Sequence, residues 1–98
     1  MKVTITARKF KARDVLKEYI QGEVESLEKF SVDILDVEVI LSYQNNKDSV
    51  KIAEIIVKVP GQILTIVEEA EEFEISVKSA VAKLNRQLQK IKEKKAKH

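Results

Sequence analysis

Hydrophobic positions along this chain follow two alternating periods. From Lys2 to Ala7, apolar Val3 and Ile5 alternate with Thr4 and Thr6, the two-residue repeat of a strand with one face buried. From about Ala12 the spacing lengthens. Leu16, Ile20, Val24 and Leu27 recur every three or four residues, flanked by Tyr19 and Phe30, and mark one stripe of a helix. No serine, threonine or asparagine stands where this helix would begin, and Lys11 to Asp14 give only a weak start signal. Gly22 in the helix interior costs about 1 kcal/mol relative to alanine, so a packing reason for it is expected.

The two-residue period then returns. Val37, Val39, Leu41 and Tyr43 predict a second strand, and Gln44-Asn45-Asn46-Lys47-Asp48 is turn chemistry. Val50 to Val59 predicts a third strand with Ala53, Ile55, Val57 and Val59 on one face. Pro60-Gly61 suits the centre of a type II turn, and Gln62 to Val67 predicts a fourth strand, so the hairpin series is antiparallel. From Glu71 the helical period resumes through Val77, Val81, Leu84, Leu88 and Ile91. The expected fold is α+β in the order β-α-β-β-β-α: a four-stranded sheet with two helices on one face, similar to a double-stranded-RNA-binding domain. Residues 1–98 form a single domain in this reading, with a basic tail from Lys92 to His98 expected to fray.

Charge changes the picture more than bulk composition does. Charged residues make up 35% of the chain against roughly 25% in typical soluble domains, and they are segregated. Residues 1–20 carry six cations and two acids, residues 21–78 five cations and thirteen acids, and residues 79–98 seven cations and one acid. If the two basic ends meet in space they form one positive face, and such a face points to a polyanionic partner.

Within the second predicted helix, steps of about 100° per residue place Val77, Val81, Leu88 and Ile91 within about 60° of Leu84. Lys83, Arg86, Lys90, Lys94 and Lys97 then fall together between about −80° and −160°. A solvated helix face normally mixes signs for pairing between successive turns, but this stripe has no carboxylate. Phosphate binding explains its single sign better. Arg8, Lys9, Lys11, Arg13 and Lys17 form a second basic group at the end of the first strand and start of the first helix. On their own they fit a solubilising terminus equally well.

Several chemistries are excluded or disfavoured. Without cysteine there is no disulfide or thiolate metal site. The single histidine, His98, supports neither a His-based triad nor a two-histidine metal site. Gly22 and Gly61 are the only glycines, so no glycine-rich phosphate loop exists. Glu68, Glu69, Glu71, Glu72 and Glu74 crowd a predicted helix start, where acids are electrostatically favoured, and do not read as a catalytic pair. Phe10, Tyr19, Phe30, Tyr43 and Phe73 sit mostly at core-like positions, which disfavours a base-stacking platform. No run of about 18 apolar residues could span a membrane, and the N-terminus lacks the apolar run of a signal peptide. The chain therefore reads as a cytoplasmic non-enzyme without cofactor, metal or small-molecule substrate, and as a monomer when free.

The element order, Leu27-Glu28-Lys29-Phe30 closing the first helix, and Lys83-Leu84-Asn85-Arg86-Gln87-Leu88 followed by Lys90 and Lys94 resemble the ribosome hibernation-promoting factors and ribosome-associated inhibitors. The likeness spans essentially the whole chain. It implies association with bacterial-type ribosomes, at the decoding region of the small subunit over the mRNA channel and the A and P tRNA positions, blocking translation in idle ribosomes. It also implies RNA contacts from Lys17, Lys29, Lys83, Arg86, Lys90 and Lys94; Arg8 and Lys9 join them on charge alone. Longer relatives carry a further ribosome-pairing domain, which a chain of this length is expected to lack. Two departures stand out. Where the family has an Asp-Met-Tyr-x-Ala-Ile-Asp-like run, this chain has Glu72-Phe73-Glu74-Ile75-Ser76-Val77-Lys78, and family lysines of the first helix fall at Glu23 and Ser26. The remaining alternatives are a double-stranded-RNA-binding module, against which the glutamates at the second helix start argue, and a protein-interaction module using the amphipathic helices.

Overall fold

The computed structural model of the chain describes residues 1–30, 33–44 and 47–96. Strand β1, Lys2–Ala7, matches the span of its alternation. Helix α1, Asp14–Glu25, tightens into a 3-10 turn over Ser26–Phe30. No side chain caps its N-terminus, as the sequence implied. At its other end the Ser26 hydroxyl donates to the Glu23 carbonyl at 2.6 Å. Strands β2, Asp36–Gln44, β3, Lys47–Val59, and β4, Gln62–Ala70, follow, and helix α2 runs Phe73–Ala96. The basic stretch from Lys92 thus continues the helix as far as Ala96, while Lys97 lies outside the described residues. Gly61 has φ of 87°, the left-handed value that the third position of a type II turn demands.

The sheet order is β1-β2-β3-β4. β1 and β2 pair in parallel, whereas β2–β3 and β3–β4 are antiparallel. α1 packs on β1 and α2, and α2 lies across β3 and β4. Because β1, β2 and β4 all finish at the same end of the sheet, both helices start there and run back side by side. Between sheet and helices lie Val37, Val39, Leu41, Ala53, Ile55, Val57 and Val59 from the strands and Ile20, Val24, Leu27, Phe73, Val77, Val81, Leu84 and Leu88 from the helix side, all buried. Leu16, also expected inside, is only half-buried at the α1 start.

Two further expectations fail. A Cβ built on Gly22 meets nothing within 4 Å, so no close packing calls for this glycine; it simply sits on the solvent side of α1. Glu68 and Glu69 belong to β4, although in sequence they read as part of an acidic helix start. Ser76, the one buried polar residue among the described residues, is satisfied by donating to the Phe73 carbonyl at 3.1 Å.

Candidate nucleic-acid interface

α2 is built to hold one apolar stripe on the sheet and one basic stripe beside it. Its 24 residues span about 36 Å at 1.5 Å per residue, within a molecule 49 Å long. Leu88 is its last buried residue and Ile91 is half-buried, so the turns beyond project past the core with Lys90 and Lys94 on them. Arg86, Lys90 and Lys94 are exposed and make no hydrogen bond or ion pair among the described residues. Glu93, the acid nearest to them on the helix, accepts a hydrogen bond from Gln89 at 3.3 Å. Lysines over the last turns are also favoured by the negative end of the helix dipole.

Lys83 differs from its companions. Its Nζ lies 2.8 Å from Oε2 of Glu68, whose other oxygen accepts from the Ser79 hydroxyl at 2.7 Å. Glu68 alternates onto the helix side of β4, opposite Ala53 in the register, and so slides beneath α2. The Lys83 hydrogen bond, then that of Ser79, lowers its pKa below the ordinary value, against the upward push of burial. The helix by itself carries no carboxylate in the stripe, but the sheet supplies one.

That contact also orients the stripe. β4 is the sheet edge opposite β1, and α1 lies on the β1 side. The α2 flank bearing Lys83, Arg86, Lys90 and Lys94 therefore faces the β4 edge, away from α1. On α1, Tyr19 marks the side turned to α2, since its hydroxyl donates to the Glu74 carbonyl at 3.3 Å. Lys17 lies about 160° round the helix from Tyr19, on the outer flank. Lys29 is exposed on the 3-10 turn, and Arg8 and Lys9 are exposed at the opposite end of the molecule from Lys94. The basic ends do not fuse into one patch. Arg86, Lys90 and Lys94 form a continuous ridge, Lys83 is its tethered first member, and Lys17, Lys29, Arg8 and Lys9 are outlying charges.

Three of the aromatic residues are occupied with one another. Phe10 stacks on Phe73 with centroids 5.2 Å apart, and Tyr43 meets both edge-on at 5.1 and 5.5 Å. Arg8 extends the β1 ladder by donating to the Leu41 carbonyl, and Lys9 then takes a positive φ of 64°. This turn leads the chain to Phe10, which joins the start of α2. The cluster pins the loop and leaves these three rings engaged with each other rather than laid out flat for bases. Among the described residues no group of three or more acids, histidines or cysteines could hold a metal, and no helix is long and apolar enough to cross a membrane.

A family profile described as sigma 54 modulation protein / S30EA ribosomal protein matches residues 3–96. The chain belongs to this family. The fold agrees with solved relatives. The N-terminal domain of Thermus thermophilus protein Y superposes with a TM-score of 0.81 at 22% identity, over 93% of this chain and 99% of that one. A ribosomal subunit interface protein from Coxiella burnetii gives 0.78 at 21% identity, over 95% and 99%. Among curated proteins no significant match is found.

Within the S30EA family frame, the two departures noted in the sequence fall at one place. Burial and the charges of Glu23 and Glu74 raise the pKa of Tyr19 above its ordinary value, so the start of the cleft between the helices is acidic. Asn85, inside the motif that carried the resemblance, turns away from the basic flank, and its Oδ1 is buried without a hydrogen-bond partner among the described residues. No sequence signal distinguished Asn85 from its neighbours.

Proposed function

We propose that the protein binds the small ribosomal subunit at the decoding region, gripping ribosomal RNA phosphates through the α2 ridge of Arg86, Lys90 and Lys94. The observation that carries this reading is the ridge itself: three exposed cations on successive turns, without acidic partners among the described residues, in a chain of the S30EA family. Arg86 offers a planar fork for two phosphate oxygens, whereas the lysines act as point charges. Lys83 contributes once a phosphate competes with Glu68, and Lys17, Lys29, Arg8 and Lys9 add long-range attraction from the rest of the surface. By occupying the mRNA channel and the A and P tRNA positions the protein blocks translation and promotes ribosome hibernation, with no turnover of its own. The name of the Coxiella protein, a ribosomal subunit interface protein, supports a role at the ribosome. A double-stranded-RNA-binding module is the weaker reading, because Glu71, Glu72 and Glu74 crowd the α2 start.

Binding of Arg86→Glu and Lys78→Glu to purified small subunits tests the reading. Lys78 lies on the other flank of α2 and supplies the same charge change. Arg86→Glu is expected to weaken binding strongly and to flatten its salt dependence, by about 0.7–0.9 in the log–log slope for each phosphate left without its cation. Lys78→Glu should weaken it little. Equal, slight losses would reduce the ridge to a solvated face, and binding indifferent to saturating mRNA and initiator tRNA would place the site elsewhere.

A further inference from the structure

The basic ridge overhangs an open sheet edge, and the two together make a second kind of site. β4 is hydrogen-bonded to β3 on one side and ends the sheet on the other. Gln62 to Val67 contains no charge and no proline, whereas natural edge strands are usually blunted by such residues. Ile63 and Val67 are 62% and 52% exposed on the outer face, and Leu64 and Ile66 stay half-buried on the inner face. The opposite edge, β1, is also uncharged from Val3 to Ala7, but the flank of α2 that carries the ridge is tied by Lys83 to β4 and not to β1.

The spacing of the ridge suits a strand. Glu68 lies under Ser79 and Lys83, and α2 runs back over β4. Each two-residue step back along the strand covers about 6.7 Å, and each four-residue step along the helix about 6.0 Å. Arg86, Lys90 and Lys94 therefore run on from Lys83 in the direction from Glu68 toward Gln62, with a repeat slightly shorter than that of the strand. A strand laid against β4 would turn every second side chain up beneath a cation and the others down beside Ile63 and Val67.

We propose that the β4 edge is a docking site for an extended peptide of alternating acidic and aliphatic residues, which completes the sheet beneath Arg86, Lys90 and Lys94. Backbone ladder bonds supply affinity and the alternating pockets supply specificity. Charge selects this occupant over a second copy of the chain. Pairing β4 with its symmetry mate would bring two like-charged ridges together, which is unfavourable. The site is independent of the RNA reading in its ladder but shares its cations, so peptide and phosphate exclude one another.

The probe is a blocked peptide of alternating glutamate and valine, matched to the uncharged stretch Gln62 to Val67. Its controls are the same composition in two blocks, and two versions N-methylated at alternate residues so that one ladder edge or the other is removed. Binding is followed by calorimetry and by amide exchange. The parent peptide is expected to protect alternate amides of β4, to lose tenfold or more in affinity when one of the methylated versions replaces it, and to lose as much with Arg86→Glu. Equal binding of the parent, block and methylated peptides would overturn the proposal in favour of simple charge attraction. Protected outward β4 amides in the free protein, with a dimer in sedimentation, would overturn it in favour of a second copy. Failure of the peptide while Arg86→Glu still weakens small-subunit binding would remove this site and leave the RNA reading standing.

Discussion

Lys83 on α2 and Glu68 on β4 face each other at 2.8 Å, so the first cation of the basic ridge is held by the sheet beneath it. An anion arriving at Lys83 must displace this partner, whereas Arg86 one turn later has none among the described residues. Lys83→Ala should therefore cost less small-subunit affinity than Arg86→Ala. Glu68→Gln should release Lys83 and steepen the log–log salt dependence by about 0.7–0.9. Binding isotherms for the three variants across a salt series check both statements.

The same pair makes stability depend on acid. Its hydrogen bonds hold the Glu68 carboxyl below the ordinary value of 4.5 when folded, while the unfolded chain keeps that ordinary value. The unfolded state therefore binds the proton first. The contribution is fully present above the unfolded pKa and is lost as pH falls through the folded one. Urea melts of wild type and Glu68→Gln near neutral and near pH 3 should show a smaller acid loss in the variant; identical losses would assign acid sensitivity to other carboxyls.

Leu84 lies at the centre of the α2 stripe and is fully buried. Leu84→Ala leaves a cavity against the sheet and should cost about 2–5 kcal/mol in urea unfolding.

Gly22 offers the opposite change. The space around its missing Cβ is open and it lies inside α1, so Gly22→Ala removes backbone freedom from the unfolded chain without a clash. A gain of about 0.5–1 kcal/mol is expected in the same measurement.

What the sequence could reveal tracks how local each feature is. β1 was readable to the residue because alternation alone defines it. The azimuths of Lys83, Arg86, Lys90 and Lys94 were readable because a helix repeats regularly. The flank of α2 that faces α1 was not, because it depends on where the helix lies across the sheet. Glu68 misled for a similar reason. Val67-Glu68-Glu69-Ala70-Glu71 resembles an acidic helix start, and only Lys83 and Ser79, brought over from α2, make a strand carboxylate tolerable on the helix side. Gly22 failed differently, since a helical glycine with no close neighbour leaves nothing in a pattern to detect.

The parallel pairing of β1 with β2 has a consequence for how the molecule assembles. β2, β3 and β4 zip together through successive hairpins, each strand meeting the next one in the chain. β1 must instead find a partner on the far side of α1, with Lys2 brought level with Asp36. Contacts so distant in sequence close a long loop before they return any energy, which places them late and slow. Made before its partner exists, β1 must wait for β2 to emerge and for α1 to fold between them before it can join the sheet.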